Sequence, residues 1–141
     1  MPTGRLTRVV SFSAAHRYFR PDWTAERNAE VFGRCAGEHG HGHNYRCAVT
    51  VTGPVSDETG MIVDLGLLDR VLDEEVRRPL DHRHLNHEVA EFAYGRQIPT
   101  VEALAMWVWR RVAPRLPTGV RLHTVRVEED PHLYAEYVGD A

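Results

Sequence analysis

The stretch "HGHGHNYRCAVTVTG", residues 39–53, constrains the fold more than any other part of the chain. From Tyr45 onward it alternates, with Tyr45, Cys47, Val49 and Val51 on one parity. Period two with one apolar parity predicts a half-buried strand that must lie against a second apolar layer. Gly53-Pro54 ends it. The three histidines at 39, 41 and 43 run straight into this strand. In an extended chain, residues i and i+2 share a face about 6.6 Å apart. An H-x-H pair can therefore converge on one small cation at about 2.0–2.1 Å per bond. Glycines at 40 and 42 let the backbone bend and give the rings room. A surface metal-scavenging tract is the competing reading. It is the weaker one, because this tract is internal and leads directly into a well-patterned strand.

The remaining periodicities supply partners for that strand. "RLTRVVSFSAAHRYF" predicts another strand, with Leu6, Val10, Phe12, Ala14 and His16 on one parity. Residues 20–34 are polar and irregular, which predicts a long loop. "MIVDLGLLDRVLDEEVRRPLD" predicts a helix capped by Asp64, with Leu65, Leu68, Leu72 and Val76 spaced by three or four and Pro79 ending it. "TVEALAMWVWRRVAPRL" predicts a second helix, capped by Thr100, with a Leu104, Val108 and Val112 stripe. Arg77-Arg78 and Arg110-Arg111 fall at helix ends, where cations complement the dipole. "RLHTVRVEED" and "LYAEYVG" predict two further strands around Asp130-Pro131. The order β-β-α-α-β-β is α+β, a four-stranded antiparallel sheet with two helices on one face. No composition shift marks a boundary, so residues 1–141 read as one domain.

Bulk properties narrow the function. Formal charge is −3 with 26% charged residues, so no basic field invites nucleic acid or anionic lipid. No stretch approaches the length of a membrane span, and the start "MPTGRLTRVV" lacks an apolar signal core. Two cysteines, Cys35 and Cys47, build neither a disulfide framework nor a thiolate zinc cage. The expected compartment is the reducing cytoplasm. A catalytic zinc wants three protein ligands and one open position. Beyond an H-x-H pair, His16 is the best third candidate, because a bare histidine closing an apolar parity is awkward as core.

Six blocks, "SFSAAHRYF", "VFGRCAGEHGHGHNYRCAVTVTG", "GMIVDLGLLDRVL", "RRPLDHRHLN", "PTVEALAMWVW" and "VRVEED", follow one another as in the 6-pyruvoyltetrahydropterin synthase family, which the chain resembles over nearly its whole length. The family includes the 6-carboxytetrahydropterin synthases of 7-deazaguanine (queuosine) biosynthesis. The resemblance implies the tunnelling fold, in which the sheets of several subunits join into a barrel. It implies homohexamers built as two trimers, with sites at subunit interfaces. It also implies a zinc-dependent lyase acting on 7,8-dihydroneopterin triphosphate. The zinc triad falls on His16, His41 and His43; the "NY" and strand that follow select His41 and His43 and leave His39 as loop. Cys35 matches the catalytic cysteine, with a pKa expected to fall near a metal and imidazoles. Asp81 and His82 match the carboxylate–histidine relay, while His84 and His87 beside them read as surface. Cys47, mid-strand, reads as core.

Glu129 matches the pterin-anchoring glutamate, chosen over Glu128 by counting back from "EYVG". Thr100 is a pterin contact or simply a helix cap, and Glu102 a family glutamate or a first-turn acid. Five residues separate Cys35 from His41, the animal-type pyruvoyl spacing; the carboxy-type enzymes more often have three, which Cys35 to His39 would satisfy. The expected product is 6-pyruvoyltetrahydropterin with release of triphosphate. The alternative is the carboxy product with acetaldehyde. A non-catalytic metal-binding module is the reading from another class.

Overall fold

Alternation builds the frame on which everything else is placed. In the computed structural model, which describes residues 2–140, β1 (Thr3–His16) and β2 (His41–Pro54) pair antiparallel along their whole length. β4 (Arg121–Asp130) pairs with β2, and β5 (Leu133–Tyr137) with β4, both antiparallel. A fifth strand, β3 (Arg83–His84), lies parallel to β1 at Ala14 and Ala15, giving the order β3-β1-β2-β4-β5. Four strands were expected from the sequence. Two residues are too short to leave an alternation, so β3 carried no signal.

The parities hold. Phe12, Ala14, Tyr45, Cys47, Val49, Val51, Val125 and Val127 are buried on one face of the sheet. Against them pack Leu68, Val71, Val76, Phe92, Leu104 and Val108, none with exposed surface. A one-residue slip in β2 would turn four of these side chains to solvent, at about 1.5–3 kcal/mol each, so the register is strongly specified. The other face stays open, with Thr7, Ser11, Ser13, Asn44, Arg46 and Arg126 along it.

The helices follow their caps. α1 (Ala25–Phe32) occupies the segment expected as irregular loop. Thr24 caps it by accepting the Arg27 N–H at 3.1 Å. Only Asn28 of this helix is buried, so no apolar stripe announced it. A 3₁₀ turn, Gly33–Ala36, follows. α2 (Leu65–Leu72) opens on Asp64, whose carboxylate accepts the Gly66 N–H at 3.2 Å. It continues through a π turn, Asp73–Arg77, into α3 (Arg78–Leu80).

Pro79 therefore does not end the helix; the chain passes through it. Proline leaves the carbonyl four residues back without its N–H. That carbonyl, Glu75, accepts from Arg111 Nε at 2.9 Å instead. α4 (Leu85–Glu88) and α5 (Val101–Val112) complete the helical layer. No helix among the described residues is long and apolar enough to cross a membrane.

Candidate active site

Register brings the histidines together. His16 is paired directly with His41, and Ala14 with His43. The last residue of β1 and two residues of β2 thus project from the helix-covered face side by side. Their candidate ligand atoms all lie within 4.8 Å of one another. His39 stays in the turn before β2. Gly40 makes the tight entry possible: its φ is +72°, and a Cβ there would sit 2.7 Å from the His16 carbonyl oxygen. Gly42 lies inside the regular ladder opposite Ala15, so the bend expected of both glycines belongs to Gly40 alone.

The donor set fits a metal ion. His16 is 1% exposed, and its pKa is pushed down to about 3, chiefly by burial and then by His41 and His43. It is neutral at physiological pH, as a ligating imidazole must be. Its Nε2 lies 3.2 Å from His41 Nε2, while Tyr45 Oη sits 2.7 Å from its Nδ1. One nitrogen is held from behind and the other faces the cluster, the arrangement that orients metal ligands. His43 Nε2 is buried with no hydrogen-bond partner among the described residues. Such an orphan costs about 1–3 kcal/mol, which a cation at that point would offset. The three histidines could hold a metal ion.

Cys35 reaches the same cluster from the 3₁₀ turn, with Sγ 4.0 Å from His41 Nε2. Burial, then the Glu129 charge, pushes its thiol pKa up. This is the reverse of the lowering expected, because the chain alone supplies a carboxylate and no net cation. A metal ion at the histidines would act in the opposite direction. Cys47 is fully buried core with a thiol pushed up to about 12.

Glu129 shares parity with Val125 and Val127 and faces the histidines, its Oε2 3.5 Å from His43 Nε2. That oxygen is buried and has no hydrogen-bond partner among the described residues. Glu128 points to the open face, 3.6 Å from Arg126. Thr100 is a helix cap, its hydroxyl accepting the Ala103 N–H at 3.0 Å. Glu102 stands in the first turn of α5. After burial, the charges of Glu129, Cys35 and Glu102 all help push up the Tyr18 phenol.

Asp81 and His82 touch, with Oδ2 and Nδ1 3.0 Å apart. The Ser13 N–H, bonded to Asp81 Oδ1 at 2.8 Å, is the main cause holding that carboxyl below the ordinary range. His82 adopts φ +60° and donates its backbone N–H to the Ser13 carbonyl. This left-handed residue throws the ring outward, 84% exposed. Both residues line the open face with Ser13 and Asn44. Cys35 and the histidines lie on the other face, so one chain does not bring the Asp81–His82 pair and the thiol together. His84 is half-buried, its ring stacked on His87 at 3.8 Å, and is therefore not the surface residue expected. The Tyr45 hydroxyl was missed by sequence reasoning, which took Tyr45 as core only. Its parity, two residues beyond His43 on one strand, was the available signal.

The family model for 6-pyruvoyl tetrahydropterin synthase matches residues 5–140. The chain is 37% identical over 136 residues to the human 6-pyruvoyl tetrahydrobiopterin synthase, across 96% of this chain and 92% of that protein. It is 32% identical over 136 residues to the 6-carboxy-5,6,7,8-tetrahydropterin synthase of Synechocystis, across 94% and 91%. The structure of the Caenorhabditis elegans 6-pyruvoyl tetrahydropterin synthase superposes with a TM-score of 0.92 at 33% identity, covering 99% of this chain and 98% of that one. The sheet with its helices on one face is thus the tunnelling fold of those enzymes. With a match along nearly its whole length in sequence and in structure, the chain belongs to the 6-pyruvoyl tetrahydropterin synthase family of pterin-forming lyases.

Proposed function

We propose that the chain is a zinc-dependent lyase that converts 7,8-dihydroneopterin triphosphate to 6-pyruvoyltetrahydropterin and releases triphosphate. The observation that carries this reading is Cys35 Sγ, 4.0 Å from His41 Nε2 at the edge of a three-imidazole cluster. Three neutral nitrogen donors from the protein suit zinc with one position left for substrate. Bound there, zinc would supply a double positive charge that acidifies the substrate's side-chain hydroxyls.

The chain's own residues do the rest. Cys35 takes a proton from a side-chain carbon in a rearrangement that is redox-neutral overall. Glu129 accepts the two parallel N–H donors of the pterin's amino-pyrimidinone edge, which satisfies its orphaned Oε2. Asp81 holds the tautomer of His82, which exchanges a proton with the substrate. Because that pair lies on the open face with its ring exposed, it serves the site of a neighbouring copy. This accords with a homohexamer of two trimers with shared sites. β1 is paired by β3 at only two residues, which leaves most of its outer edge for a neighbour to cover. Residues 1–141 act as one domain, and two free thiols suit a reducing cytoplasm.

The pyruvoyl product is favoured over the carboxy product by two observations. Human and Poecilia reticulata relatives named for pyruvoyl synthesis are 37% and 38% identical, against 32% for the carboxy enzyme. Five residues also separate Cys35 from His41. Incubating zinc-loaded protein with 7,8-dihydroneopterin triphosphate and analysing the products by mass spectrometry decides the matter. The expected product is the pyruvoyl pterin; a carboxy pterin with acetaldehyde would move the enzyme to 7-deazaguanine synthesis. Glu129→Gln replaces one needed acceptor with a donor, so KM is expected to rise about 10–100-fold in steady-state kinetics. An unchanged KM would assign the pterin anchor to another residue.

A further inference from the structure

The turn that carries Cys35 is short and borders solvent, yet its thiol must be held against the histidine cluster. Two adjacent carbonyls of this turn are tied to the chain leaving β1. The Cys35 carbonyl accepts the Tyr18 N–H at 2.7 Å. The next carbonyl, Ala36, accepts the Arg17 side-chain Nε–H at 2.9 Å. One bond is a pivot, whereas two at successive residues fix the direction of the turn. Arg17 is itself well braced. Its backbone N–H donates to Asn86 Oδ1 at 2.7 Å, and buried Asn86 donates onward to the Phe92 carbonyl at 3.2 Å. Its guanidinium lies over the Phe19 ring, 3.9 Å from the centroid, which restricts its rotamers. A core residue thus reaches the Cys35 turn through one arginine.

We propose that Arg17 is a positioning residue for Cys35, acting through its Nε–H on the Ala36 carbonyl and not through its charge. The proposal rests on the reading of Cys35 as the proton-abstracting thiol. Two substitutions separate the donor from the charge. In Arg17→Gln, the amide nitrogen stands the same number of bonds from Cα as Nε, so the bond to Ala36 can persist without the charge. Arg17→Met fills similar space and can contact Phe19 through sulfur, but donates nothing.

The first readout needs no catalysis: the rate of Cys35 alkylation by iodoacetamide in metal-stripped protein, followed by intact mass. Cys47 has no exposed surface, so Cys35 alone reports. Arg17→Met is expected to alkylate several-fold faster than wild type, because the turn swings open, while Arg17→Gln stays close to wild type. In the zinc-loaded enzyme, kcat of Arg17→Met is expected to fall about 10–100-fold at unchanged KM, with Arg17→Gln again near wild type. Equal behaviour of the two variants would overturn the proposal. So would unaltered alkylation with a raised KM in both, which would make Arg17 a contact for the anionic substrate instead. If Cys35→Ala proves active, the catalytic reading fails, and the alkylation contrast still decides whether Arg17 holds the turn.

Discussion

Cys35→Ala is expected to lower kcat by about 10²–10⁴, the range for removing a positioned proton-transfer group, while bound zinc stays unchanged. The geometry separates the two properties. Sγ lies 4.0 Å from His41 Nε2 and is not among the three side chains whose donor atoms cluster. Removing one sulfur from a half-buried position leaves the turn fastened by the Tyr18 N–H and by Arg17. Single-turnover assays together with metal analysis of the same sample measure both. Retained turnover would pass the proton abstraction to another group, whereas no turnover by the wild type itself would leave a binding-only role. Loss of both zinc and turnover would place Cys35 among the ligands.

Much of this arrangement was written in local patterns, and the exceptions share a cause. β1, β2, β4 and α5 were legible because each buries one parity or stripe against the same core. α1 buries only an asparagine and β3 spans two residues, so neither leaves a period to read. Spacing alone could not choose between the pairs His39/His41 and His41/His43. The ladder distinguishes them, because β2 begins at His41, directly opposite His16. Counting back from "EYVG" selects Glu129 over Glu128, and the strand gives it the parity of Val125 and Val127.

Asp81 and His82 could not be placed in that way. Which face Asp81 and His82 occupy depends on a helix that runs through Pro79 and on a left-handed backbone at His82. Neither is a property of the residues within reach of a periodicity argument. The thiol's raised pKa has the same character, since it comes from burial and from Glu129, distant in sequence. The family resemblance named these groups; long-range packing set which face each one occupies.

The His43→Ala variant is expected to lose metal binding at the three-histidine cluster without losing its fold. A zinc site worth about 10–16 kcal/mol over four positions gives about 2.5–4 kcal/mol per ligand, or roughly 10²–10³-fold in affinity. His43 is the clean ligand to remove because its Nε2 is buried with no hydrogen-bond partner among the described residues, Glu129 Oε2 standing 3.5 Å away. Alanine there deletes an unsatisfied atom and breaks no hydrogen bond. His16→Ala is a poorer test. It would strip the Tyr45 hydroxyl of its 2.7 Å partner at a buried position, adding about 1–3 kcal/mol of destabilisation unrelated to metal. The measurement is a pair of thermal melts, with and without excess zinc, beside metal analysis. Wild type should gain Tm with zinc, because an ion that binds only the folded state adds to its stability. His43→Ala should match wild type in the metal-free melt and gain almost nothing from zinc. Stoichiometric zinc in the purified variant would show that His16, His41 and His43 are not the ligand set, and His39 would then have to be reconsidered.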